Sequence, residues 1–258
     1  MPPAPSYPTD AHARAADAIV DFFSARTETD AVLLVNSCAR GKATRDSCLD
    51  IKVLIPEGMD ASELDAAWQR HWMSDPSFRA LERAGAFSDL HLDIEDGSLD
   101  LESHPSDEYP DDFEVRIGNM LVYSVPLWQR DDRLGHLRQR WLPYYDEDLR
   151  QVRLAEVRWC CQHYLEHIPP YVERGLSFQS FARLWGAFQM FLQALFISRR
   201  TYPIAYDKWI HEQVVEILGL PELYTQLPPL FEIGRFESDE LVGKARAMQR
   251  LLDTYVVA

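Results

Sequence analysis

The chain reads as an α+β protein, a small mixed β-sheet domain followed by an all-helical one, and three observations predict it. Short apolar runs with two-residue alternation occur only in the first half. Beyond Asp132, apolar residues recur at helical spacing almost without interruption. Between these regimes stand Pro126 and the polar run Gln129–Arg133, which mark the predicted boundary. The organisation expected is a flexible tail over 1–10, a sheet-bearing domain over 11–130 and a helical domain over 131–258.

In chain order, residues 1–9 carry four prolines, which disfavour regular structure. Over Ala11–Ala25, Ala15, Ile19, Phe22 and Phe23 share one helical face, with Thr9 or Asp10 as cap. Ala31–Val35 and Leu49–Ile55 are strand-like, and the second alternates so that Cys48, Asp50 and Lys52 share a face. Pro56-Glu57-Gly58 makes a turn, and helices are predicted over Ala61–Met73 and Pro76–Ala84. Phe87–Glu95 alternates again, with Leu90, Leu92 and Ile94 on one side and Asp89, His91, Asp93 and Glu95 on the other. The acidic stretch from Gly97 to Asp112 reads as a loop, and Phe113–Val125 as a hairpin turning at Gly118-Asn119.

The second half predicts helices over Leu134–Trp141, over Glu147–His167 closed by Pro169-Pro170, and over Phe178–Ser198 capped by Ser177. Two more follow over Lys208–Leu218 and Ser238–Tyr255. The Phe178–Ser198 segment is apolar nearly all round, as the central helix of a bundle would be.

Hydrophobic residues make up 47% of the chain and charged residues 26%, a globular composition. With 26 basic and 41 acidic residues, the net charge is −15. That field repels polyanions and argues against a long nucleic-acid footprint, while favouring a cationic small molecule or basic partner. The first ten residues lack a basic and apolar leader pattern, and no apolar run is long enough to span a membrane, so a cytoplasmic protein is expected. Cys38, Cys48, Cys160 and Cys161 do not suggest a disulfide framework. The sequence also allows a homodimer.

The most informative stretch is Ala31–Ile55, in which Asn36-Ser37, Ala39-Arg40-Gly41 and Ser47-Cys48-Leu49-Asp50 lie between the two apolar runs. This frame resembles the nucleotidyltransferase superfamily of the DNA polymerase β type, whose pattern is a strand, Gly-Ser, a polar loop often containing Ala-Arg-Gly, and Ser-Asp-x-Asp opening the next strand. With a helical domain following, the arrangement is similar to bacterial aminoglycoside and lincosamide nucleotidyltransferases and related uncharacterised nucleotidyltransferase-domain proteins. The chain departs from the pattern twice. Asn36 stands for the Gly, and Cys48 stands for the first Asp.

The resemblance implies transfer of a nucleoside monophosphate from a nucleoside triphosphate to a small hydroxylated acceptor, with Mg²⁺ or Mn²⁺ as cofactor. Asp50 and either Asp89 or Asp93 would be the catalytic acids, with Asp50 and Asp93 holding metal. Ser37, Arg40, Lys42, Arg45 and Lys208 would bind the nucleotide, and a carboxylate would deprotonate the acceptor. Two such ions stand about 3.5–4 Å apart and need hard oxygen ligands, which a cysteine is not. Cys48 therefore supports a second reading, a catalytically silent member that binds a nucleotide or a partner; it could also be a soft metal ligand with Asp50 and His91, or a redox-sensitive thiol.

Each candidate has a plainer reading. Ser37 could be a simple cap; Asp50, Asp89 and Asp93 could be solvated strand residues; Arg40, Lys42 and Arg45 could be loop cations. Arg199, Arg200 and Lys208 follow the apolar helix, where cations complement the helix dipole. His163 and His167 are spaced to share a metal, but the sequence offers them no third ligand. His91 is a candidate base.

Overall fold

A computed structural model describes residues 5–99 and 110–257. The expected loop Gly97–Asp112 lies mostly outside the described residues. The protein is α+β, and the chain divides into two compact units: residues 1–99 with 117–142, and residues 100–116 with 143–258.

The first unit begins with α1 (Asp10–Ser24), whose Thr9 side chain accepts from His12 N. Its buried face carries Ala15, Ile19, Phe22 and Phe23, the stripe that the spacing predicts. Tyr7 packs against the same core, so the expected tail ends in fixed contacts. β1 (Ala31–Leu34), α2 (Asn36–Ala39), β2 (Leu49–Leu54), α3 (Ser62–Ser74), α4 (Pro76–Glu82) and β3 (Leu90–Glu95) follow.

Among the described residues the sheet has four strands in the order β3-β2-β1-β4, with β4 at Val125–Gln129. β1 pairs antiparallel with β2 and β4, whereas β2 and β3 are parallel. The parallel pair needs a crossover, which α3 and α4 supply. β4 contains Pro126, which lacks an N–H and is tolerated because β4 is an edge strand. The register of β1 against β4 shifts between Val32 and Leu33.

The predicted hairpin over Phe113–Val125 is corrected by the structure. Phe113–Ile117 is a short helix, α5, and Gly118–Val122 is a π-helical turn. Phe113, Ile117, Met120 and Leu121 are buried, a spacing of four, three and one that a helix accommodates and a strand does not. The alternation of Phe113, Val115 and Ile117 fits the strand template over too short a window to discriminate.

α6 (Arg133–Trp141) belongs to the first unit, so the division falls after Leu142, beyond the expected 130/131 boundary. The second unit holds α7 (Glu147–Glu173), α8 (Ser177–Ser198), a π turn at Glu212–Ile217, α9 (Pro221–Tyr224) and α10 (Glu240–Tyr255). Leu154, Val157, Cys161, Phe191, Leu195 and Met248 are among the residues of its buried core.

α7 runs through Pro169-Pro170, where the sequence predicted an end. Ile168 is fully buried and Val172 packs on the core, so the prolines lie between anchored positions. The helix ends where Gly175 takes φ +70, with Leu176 N–H donating to Tyr171 O at 2.9 Å and Gly175 N–H to Val172 O at 3.0 Å. That pair of bonds is a Schellman cap. Ser177 is the first residue of α8 and makes no side-chain cap, since the cap position is Leu176.

The second unit buries a polar cluster. Glu114 has no exposed surface; it accepts from Arg153 Nε at 2.6 Å, Tyr145 Oη at 2.8 Å and Gln193 Nε2 at 2.9 Å. Arg153 also donates to both oxygens of Asp111, at 2.7 and 2.9 Å. Among these groups two acids therefore share one guanidinium. Burial, followed by the competing charge of Arg153 and the neighbouring Glu114, leaves the Asp111 carboxyl above its ordinary range.

Candidate functional site

The candidate site of the first unit starts where β1 hands over to α2. Asn36 has φ +56, a left-handed conformation that Asn adopts more readily than most side chains. This explains how Asn fills a place where the resembled pattern has Gly. Ser37 follows, half-buried, and its carbonyl accepts from Lys42 N at 3.0 Å. Val35 N–H donates to Asp50 O at 3.0 Å, which ties this turn to β2.

Asp50 and Lys52 share the more open face of β2, as the alternation predicts. The parallel register places His91 opposite Asp50 and Asp93 opposite Lys52. His91 Nδ1 lies 3.1 Å from Asp50 Oδ1; the carboxylate is 15% exposed and the imidazole 62%. With the proton on Nδ1, the imidazole donates to Asp50 and its Nε2 is left to solvent.

Lys52 alters the chemistry of this face. Its Nζ is 2.6 Å from Glu95 Oε1 and 3.4 Å from Asp93 Oδ2. Asp93 and Glu95 are thereby engaged by an ammonium. Asp89 is exposed, and its Oδ1 accepts from Leu90 N at 2.7 Å. Cys48 Sγ donates to Phe87 O at 3.4 Å, and Cys38 Sγ donates to Cys48 O at 3.6 Å. Burial, with the nearby Asp50 charge, pushes the Cys38 thiol up to about 12.

Among the described residues, no three His, Cys, Asp or Glu groups converge to hold a metal ion. The donor set does not fit a pair of magnesium ions. It offers one soft sulfur, one carboxylate bound to an imidazole, two carboxylates sharing an ammonium, and the exposed Asp89, whose Oδ1 accepts from Leu90 N.

The basic loop between α2 and β2 is pinned from several sides. Arg45 donates to Ala84 O from Nε at 3.1 Å and from Nη2 at 2.7 Å, while Ser88 Oγ donates to Arg45 O at 2.6 Å. Gly85 permits this approach, because a Cβ there would overlap Arg45 O. His12 Nε2 lies 2.9 Å from Ser47 O. Arg45 therefore acts as a brace, whereas Lys42 is exposed and Arg40 half-buried.

In the second unit, Lys208 is exposed. Arg200 pairs with Glu147 at 2.9 Å and Arg199 donates to Tyr255 O at 3.4 Å. Along α7 the His163 ring stacks on Trp159 and meets His167 edge-on, and His167 lies tilted against Tyr171.

Sequence reasoning named Asp50, Asp89, Asp93 and His91 but missed Lys52 as the counterion of Asp93 and Glu95. The signal was present, since Lys52 alternates with Asp50, but the partner depends on strand register. The buried Glu114, Asp111 and Arg153 were also missed. Their signal was Arg153 one residue before Leu154 and four before Val157, inside the apolar stripe of α7.

No protein-family model matches the chain, and no curated protein matches it. Among solved structures, it is similar to a nucleotidyltransferase-like protein from Exiguobacterium sibiricum, with 12% identity and a TM-score of 0.47 over 93% of this chain and 74% of that one.

Proposed function

We propose that the first unit is a catalytically silent relative of the polymerase-β-type nucleotidyltransferases, which binds a nucleotide on the Ser37–Asp50 face without transferring it. The observation that carries this reading is Lys52 bound to Asp93 and Glu95 beside the Asp50–His91 pair. In metal-dependent phosphoryl transfer the acids exist to gather cations around the phosphates. Here a single ammonium is already shared between Asp93 and Glu95, and Cys48 replaces another acid of the pattern. A nucleotide phosphate could still meet Ser37 and Lys42, with Arg45 bracing the loop that carries them.

A second reading is active transfer to a small hydroxylated acceptor, an aminoglycoside-like amine among the candidates. It is favoured by Asp50, which keeps its position in the frame, and by Asn36, which keeps the left-handed turn.

Calorimetric titration with ATP, GTP, CTP and UTP, each with Mg²⁺, with Mn²⁺ and with chelator, separates the readings when paired with a pyrophosphate-release assay. The expected result is binding of at least one nucleotide, little dependence on metal, and no pyrophosphate released with any acceptor. Pyrophosphate release by the wild type would establish the active reading instead. If no nucleotide binds, the nucleotide-binding reading of the Ser37–Asp50 face is overturned. The Cys48→Asp variant is expected to make binding metal-dependent.

A further inference from the structure

At the end of β2 away from Asp50, the first unit carries a cavity of about 360 Å³. Its walls are Glu57 after β2, Gly97, Ser98 and Leu99 after β3, and one face of α6. Asp50 and Leu54 lie four residues apart on a strand, about 13 Å at 3.3 Å per residue, so this cavity is distinct from the Ser37–Asp50 face.

The α6 face has two layers. Leu137 and Trp141, a helical turn apart, are nearly buried and form an apolar floor. Arg133, His136 and Arg140 also line the cavity, and the last two are exposed. Arg133 is fixed in place: Nη1 is 3.2 Å from Glu57 Oε2, and Nη2 donates to Asp96 O at 2.8 Å. His136 Nε2 is 3.9 Å from Asp132 Oδ2.

Arg140 differs from both. Its guanidinium carbon lies 4.9 Å from the centre of the Trp141 ring, and it has no carboxylate partner among the described residues. In a chain with 41 acidic and 26 basic residues, a guanidinium with no acid partner among the described residues, beside an apolar-floored cavity, is suited to recognise an anion. His136 and Arg140 are one helical turn apart, close enough for one oxyanion to accept from both.

We propose that this cavity binds a small organic phosphate, its oxyanion held by Arg140 and His136 and its apolar body resting on Leu137 and Trp141. Arg133 positions the wall by clamping α6 to the segments that follow β2 and β3. The competing account is that Arg140, in the last turn of α6, only complements the helix dipole.

Phenyl phosphate is the probe. Calorimetry at low ionic strength is expected to show it binding more tightly than inorganic phosphate, since only it reaches the apolar floor. Arg140→Gln, a change at an exposed side chain, is expected to weaken that binding about tenfold, the loss of one charge-assisted contact. Lys42→Gln, on the Ser37–Asp50 face, is expected to leave it unchanged, and the Trp141 indole N–H resonance should move during titration. Absence of binding, or wild-type affinity in Arg140→Gln with its helical circular dichroism intact, overturns the proposal. Loss of binding in Lys42→Gln overturns it too, because the probe would then occupy the other face.

Discussion

Cys48 and Cys38 lie near one another in sequence and space, yet the fold gives their thiols different chemistry. Cys38 is fully buried, and desolvation together with the Asp50 charge pushes its thiol up to about 12. Cys48 is partly exposed. Thiolate and access together set alkylation rates. With Cys160 and Cys161 also buried, iodoacetamide is expected to modify Cys48 first, as read by peptide mass spectrometry. Faster modification of Cys38 would mean that the turn between α2 and β2 opens. The same pair of strands shows what the residues alone could tell. Alternation along β2 is a property of the strand and placed Asp50 and Lys52 on one face. The pairing of Asp50 with His91 and of Lys52 with Asp93 depends on the β2–β3 register, which a second strand sets.

At the scale of elements, α7 and α8 approach closely because Gly186 has no side chain. A Cβ there would overlap the ring of Tyr164, which is buried and has little room to yield. Gly→Ala in an exposed helix stabilises by about 1 kcal/mol. Here overpacking of about 1–3 kcal/mol opposes that gain. Gly186→Ala is therefore expected to lower the urea midpoint, while Gly243→Ala in α10, where a Cβ meets open space, is expected to raise it. A higher midpoint for Gly186→Ala would show that Tyr164 can rotate away. The major helices were legible in the sequence because their apolar spacing spans many turns. α5 was not, since five residues satisfy either period. The end of α7 was misplaced because proline chemistry is local, whereas burial of Ile168 on one side and packing of Val172 on the other is tertiary.

At the scale of the molecule, packing divides the chain differently from the change of pattern that the sequence shows at about residue 131. α6 follows the sheet, and residues 100–116 join the helical unit. Glu114 and Asp111, from that inserted segment, meet Arg153 of α7 with almost no exposure on any of the three. Removing the shared cation leaves two buried acids, and Arg153→Met is expected to cost about 3–5 kcal/mol near neutral pH. The pH dependence has a definite sign. Burial, outweighing Arg153, holds the Asp111 carboxyl above its unfolded value, so the folded state binds this proton more tightly. Its contribution to stability is therefore present at low pH and declines as pH rises from the unfolded value through the folded one. Asn at this position does not titrate. Urea unfolding of the wild type and Asp111→Asn, compared from about pH 4 to about pH 7, should show the difference moving in favour of the variant as pH rises. The Arg153→Met loss should shrink toward the acid end, where Asp111 takes up its proton. Equal losses at both ends would mean that Asp111 remains ionised in the folded protein and that Arg153, rather than burial, governs the cluster.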